Sequence, residues 1–146
     1  MLIKRRVFIV FVCLIVAFLH TDSYGEGYAG VKATQIKKTT QTSNGQGISY
    51  LKTSQPEVTV LVVEIPPGGE TGWHFHPVPV YAYVLSGSVI VETEDGEKQA
   101  FVEGDAIIEN VNTPHNGRNT GSVPVRLVVF YTGEDGSPTT VKVDRK

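Results

Sequence analysis

G-G-E-T-G-W-H-F-H-P-V-P-V-Y-A-Y-V-L-S-G, running from Gly68 to Gly87, is the stretch whose reading decides the fold. It carries His74 and His76, two of the four histidines in the chain, separated by one residue and bounded by glycines and prolines. Side chains two apart on a strand point to the same face. An H-x-H on a strand therefore sends two imidazoles into the same space, where they can share a metal. A third histidine, His115, lies downstream in a similar setting. The expectation is that all three meet inside a β-barrel.

The surroundings read as strands. Val58 to Ile65 is rich in β-branched residues and stops at Pro66-Pro67-Gly68-Gly69. Further strands are expected over Thr71 to His76, Val80 to Leu85, Ser88 to Glu94, Lys98 to Val102, Ala106 to Glu109, Pro114 to Asn119 and Val123 to Thr132. Asp95-Gly96 is a hairpin turn of the kind that tolerates positive φ. Weaker signals place a strand or arm over Val31 to Thr40, a turn at Thr42 to Gly47 and a short strand over Ile48 to Lys52. From Gly133 onward the chain is polar apart from Val141 and Val143. Beyond residue 25 no window shows a helical apolar period, so the class is all-β, a barrel or sandwich of roughly eight to ten short strands.

The start has a different character. Met1 to Arg6 is basic, Val7 to Leu19 is a run of apolar residues, and Ser23 and Gly25 are small residues fit for a cleavage site. This reads as an export signal. The run is short for a membrane span, which needs about 20 apolar residues, and an uncleaved anchor is the alternative. The only cysteine, Cys13, lies in this run with no lipobox before it, so the mature chain has neither thiol nor disulfide. Losing Lys4, Arg5, Arg6 and Asp22 leaves 10 basic and 14 acidic side chains, a formal charge of −4. That balance gives no reason to expect nucleic acid or an anionic membrane as partner. The domain plan is a signal peptide over 1–25, a linker or arm over 26–47, a barrel over 48–133 and a tail over 134–146. Localisation is expected to be periplasmic or extracellular.

Two motifs resemble those of the cupins, small double-stranded β-helix (jelly-roll) barrels. Gly68, His74, His76 and Gly87 fall on the first cupin motif, G-x5-H-x-H-x3/4-E-x6-G. Gly104, His115 and Asn119 fall on the second, G-x5-P-x-G-x2-H-x3-N, with Asn110 in place of the proline and Asn112 in place of the glycine. The resemblance extends from Val58 to Thr132. It implies the cupin fold, a divalent metal held by His74, His76 and His115, a small-molecule ligand and a homodimer. It does not distinguish Fe, Mn, Zn, Ni or Cu.

One departure matters. Val80 stands where the motif carries a metal-binding glutamate. The resemblance then implies three ligands, as in cupins such as the thiol dioxygenases that hold iron with histidines alone. Such a metal would be more positive, more open and a stronger Lewis acid. Tyr81 is one residue along, but strand alternation turns it away unless a bulge intervenes. Glu109 stands where the family strand carries an apolar residue. It either points to solvent or caps a loop, or it serves the site as ligand, hydrogen-bond partner of an imidazole, or general base.

Other residues have competing structural readings. Trp73 and Phe75 alternate with the histidines and are expected to pack in the sheet or at a dimer contact. Asn119 is expected to anchor a turn through its side chain. Arg118 is a candidate for a substrate carboxylate, against plain surface solvation, and Tyr81 is a candidate for substrate contact, against burial by a partner. No serine-hydrolase, P-loop or C-x-x-C motif is present after residue 25. Two functions follow: a metalloenzyme, either a non-haem oxygenase or a Lewis-acid isomerase or lyase, with Glu109 moving protons, or a non-catalytic module that binds a small molecule or metal.

Overall fold

The computed structural model describes residues 30–144, and the fold is that of the compact unit beginning at Gln35. The expected signal peptide, residues 1–25, lies outside the described residues. Nine strands follow in chain order: β1 Pro56–Ile65, β2 His74–Phe75, β3 Val80–Ser86, β4 Ser88–Thr93, β5 Lys98–Val102, β6 Ala106–Ile108, β7 His115–Arg118, β8 Val125–Glu134 and β9 Val141–Lys142. They form a four-stranded sheet in the order β1-β8-β3-β6 and a five-stranded sheet in the order β5-β4-β7-β2-β9. Every pairing between these named strands is antiparallel. Among the described residues there is no helix. The architecture is the all-β jelly roll expected from the sequence.

Alternation decides which side chains fill the barrel. Val80, Ala82 and Val84 of β3 are buried, as are Leu127, Val129 and Tyr131 of β8, while Tyr81, Tyr83, Val128 and Phe130 take the outer face. Val89, Phe101 and Ile107 complete the core from β4, β5 and β6. Turns appear where glycine permits them. Gly87, between β3 and β4, has φ 80°, and a Cβ there would stand 2.8 Å from the Pro124 carbonyl oxygen. The second motif's glycine position is taken by Asn112, at φ 55°, the one non-glycine residue with positive φ among those described. Asparagine tolerates this left-handed conformation better than most residues, which is how the departure from the motif is accommodated.

Three local expectations are corrected. Residues 31–40 contain no strand, which leaves the arm alternative, and the short strand expected over 48–52 is absent. The expected turn at Thr42 to Gly47 is present, closed by a Gln41–Gly47 bridge and docked through Ser43 N–H and Oγ donating to the Ile108 carbonyl. The expected strand over Thr71 to His76 is reduced to β2, because the glycine at 72 turns with φ 75° and His76 leaves the ladder for an isolated bridge to Val111. The polar tail is part of the barrel. β8 continues to Glu134, and β9 pairs Val141 with Phe75 and Lys142 with His74. Two residues of strand in a polar context leave no periodicity to read.

Candidate metal centre

β2 and β7 are neighbours, and their register sets His74 directly opposite His115. His76 follows two residues after His74, on the same side. The three imidazoles converge, with ring centroids 4.5 to 5.1 Å apart and one nitrogen from each within 4.8 Å of the others. His76 and His115 are 3% and 4% exposed, and His74 is half-buried.

Each ring is oriented from behind. His74 Nδ1 lies 2.8 Å from the Gly72 carbonyl, His115 Nδ1 2.9 Å from that of Thr113, and His76 Nδ1 2.8 Å from that of Thr139. A carbonyl only accepts, so each Nδ1 carries a proton and donates. That leaves Nε2 of each ring as the metal-binding atom in the neutral form.

Glu109 completes the cluster. Its Oε2 is 3.1 Å from His115 Nε2 and 3.2 Å from His76 Nε2. Its position follows from register. Tyr81 pairs with Ile108 across β3 and β6, and the next step of that ladder sets Glu109 opposite Val80, with Glu109 N–H donating to the Val80 carbonyl at 2.9 Å. Two residues after the buried Ile107, Glu109 also faces inward. The site therefore contains a carboxylate despite Val80, supplied from the neighbouring strand line. The solvent-facing alternative for Glu109 does not hold.

The electrostatics follow from burial and from this contact. Burial opposes a charge on Glu109, but hydrogen bonds from His115 and His76 outweigh it and hold the carboxyl at about 2. Burial likewise opposes a charge on His115, yet the Glu109 carboxylate raises it above its ordinary value. His74 is lowered to about 4 by burial, with the neighbouring imidazoles adding to the effect. Without an ion, a proton on Nε2 is what lets His115 donate to Glu109. The donor set fits a divalent metal: three Nε2 atoms facing one another, each ring braced, with an ionised carboxylate in contact with two of them.

The remaining candidates are placed elsewhere. Arg118 is three residues beyond His115, an odd offset that turns it to the opposite face. There it is exposed, with Nε 3.3 Å from Glu70 and 3.8 Å from Glu92. It is not brought to the histidines. Tyr81 faces outward onto a cavity of about 210 Å³ beneath residues 46–52, lined also by Tyr50, Leu51, Pro77 and Pro79. Glu109 borders this cavity and also an interior one of about 40 Å³ beside His74 and His115. Trp73 and Phe75 are half-buried. Asn119 is buried, with its amide donating to the Ile65 and Val123 carbonyls and its Oδ1 accepting from Gly121 N–H.

Sequence reasoning missed three contributors. Tyr131 stands 5.5 Å from His76, ring to ring, and the alternation of Val125, Leu127 and Val129 against Arg126 would have marked it as inward. Thr139 and Thr140 reach His76 from the tail, and no local pattern marks them.

Comparison with known proteins agrees with this fold. Residues 61–131 match the family model described as Cupin domain. No curated protein matches the chain. Among solved structures, the DMSP lyase DddQ from Ruegeria pomeroyi is similar at 24% identity and TM-score 0.51, covering 58% of this chain and 42% of that one. An oxalate decarboxylase from Lactobacillus farciminis is similar at 21% identity and TM-score 0.52, covering 62% and 27%. A protein from Bacillus halodurans is similar at 26% identity and TM-score 0.50, covering 58% and 69%. The chain thus spans less than half the length of the two enzymes.

Proposed function

We propose, from the premise that this chain belongs to the cupin superfamily over residues 61–131, that it is a small-molecule metalloenzyme with a divalent ion held by His74, His76 and His115. The observation that carries the reading is the single carboxylate oxygen of Glu109 in contact with both His76 and His115 Nε2. An ionised carboxylate in a barrel interior is costly unless it has a task or a partner.

The ion would supply Lewis-acid polarisation of a bound oxygen. The chain's residues supply the rest. The three carbonyls hold the imidazoles with Nε2 inward. Glu109, ionised at neutral pH, is placed either to ligate or to take and return a proton at Oε2. Val80, Ile107 and Leu127 keep the surroundings apolar, which strengthens those interactions. A carboxylate suited to moving protons favours isomerase or lyase chemistry over a non-haem oxygenase. The substrate is a small molecule, approaching from the side of Glu109, where the 210 Å³ cavity meets the site. The cavity of about 40 Å³ beside His74 and His115 has room for a few waters or one small ligand group.

Export through residues 1–25 and assembly as a homodimer belong to the same proposal. The first rests on the amino-terminal sequence, the second on the apolar outer face of β1 and β8.

Metal analysis of purified protein, with His74→Gln and His115→Gln as controls, tests the metal reading. Stoichiometric metal in the parent and a loss of affinity greater than about 100-fold in each variant are expected, beyond the range seen for outer hydrogen-bond partners. Absence of metal after attempted reconstitution would remove the metalloenzyme reading. Oxygen uptake by the Fe(II)-loaded protein with a small acid or thiol would move the assignment to an oxygenase.

A further inference from the structure

His74 and His115 take their orientation locally, from the carbonyl two residues before each. His76 does not. Its Nδ1 is held by the Thr139 carbonyl at 2.8 Å and lies 3.2 Å from Thr140 Oγ1, more than sixty residues further along the chain. The segment that brings these groups is fastened along its length. Ser137 N–H donates to the Glu134 carbonyl, Val141 and Lys142 pair with Phe75 and His74, and Val143 N–H donates to the Trp73 carbonyl at 2.9 Å. The Tyr131 ring packs edge-on to His76. β2 therefore has a partner on both sides, β7 and this segment, and would become a sheet edge without it.

We infer that residues 137–143 are a positioning strap of the metal centre. The strap fixes His76 as the Nδ1–H tautomer and keeps its Nε2 turned toward those of His74 and His115. A free neutral imidazole side chain prefers its proton on Nε2, the atom needed for the metal, so a ring released by the strap presents the wrong nitrogen. Carbonyl partners of this kind are a general means of raising the basicity of a metal-binding histidine. Here the partner comes from a segment distant in sequence, so residues 137–143 control metal affinity without contributing a ligand. This inference rests on the three histidines being the metal site.

The test compares the full chain with one ending at Gly136, using long-range ¹⁵N–¹H spectra of the imidazoles in metal-free protein at about pH 9, where histidines are ordinarily neutral. In the full chain all three rings are expected to carry a proton on Nδ1, with a second proton on His115 Nε2 where it donates to Glu109. In the shortened chain His76 alone is expected to move to Nε2–H, and Zn²⁺ affinity to fall by about 10- to 100-fold. Full-length Val141→Pro, which interrupts the pairing with Phe75, decides the question if the shortened chain does not fold. A folded variant of either kind that keeps His76 as Nδ1–H overturns the strap, whatever its Zn²⁺ affinity. If the parent binds no Zn²⁺, the metal reading fails, while the tautomer of His76 still decides the strap.

Discussion

Glu109 stands across the β3–β6 ladder from Val80, its N–H 2.9 Å from the Val80 carbonyl oxygen. The motif's missing carboxylate and the one this chain possesses are thus cross-strand neighbours facing the same interior. Side chains paired in this way have Cβ atoms about 5 Å apart, within reach of a common target.

Exchanging the two residues tests whether the carboxylate has moved one strand over. Glu109→Val is expected to lower Zn²⁺ affinity by about 10- to 100-fold. The double variant Val80→Glu/Glu109→Val should recover at least part of that loss, measured by competition with a chelating dye. A folded double variant that binds no better than the single one would show that the two positions are not equivalent.

The same contact predicts a pH window. The folded carboxyl of Glu109, at about 2, lies below its unfolded value of 4.5. Its contribution is present above that value and is lost as pH falls toward 2. His115 is raised above 6.5, so its contribution is fully present below 6.5 and is lost as pH rises through the folded value. Glu109→Gln removes both. Melting curves of the chelated parent and variant should therefore differ most between pH 4.5 and 6.5, by about 2 kcal/mol. The gap should narrow on either side, and a gap that widens toward alkaline pH would contradict the pairing.

Asn112, at φ 55°, predicts an ordering of backbone variants. Asn112→Gly should be neutral or slightly stabilising. Asn112→Val should cost about 1–3 kcal/mol, since a β-branched residue resists the left-handed region. Equal melting temperatures for the two would refute the assignment.

Buried Asn119 satisfies three backbone groups that join β1, β7 and the loop before β8. Asn119→Ala leaves the Ile65 and Val123 carbonyls and the Gly121 N–H without these bonds. A loss of about 2–4 kcal/mol in chemical denaturation is expected. A loss below about 0.5 kcal/mol would mean that water substitutes fully.

The outer face of β1 presents Val58, Val60 and Val62 at 60%, 50% and 59% exposure, beside Phe130 of β8 at 41%. β1 is also a sheet edge. Such a surface is a candidate interface between two copies. Light scattering at micromolar concentration should give a dimer for the parent and a monomer for Val60→Lys. A monomeric parent would dispose of the homodimer.

Much of this site was legible in the residues alone. Gly68, His74, His76, Gly87, Gly104, His115 and Asn119 carry a spacing that local geometry turns directly into strands, turns and a shared face. The inward alternation of β3 and β8 follows from the same rule. What a one-dimensional pattern does not contain is which distant segments pair, and in what register. Only the β3–β6 register brought Glu109 opposite Val80 and onto His115. An odd offset along β7 took Arg118 away from the histidines, and a strand of two residues carried Thr139 to His76. Periodicity is a short-range property of the chain, so the histidines could be read from it. The groups that charge and orient them arrive through long-range hydrogen bonds that only the folded barrel forms.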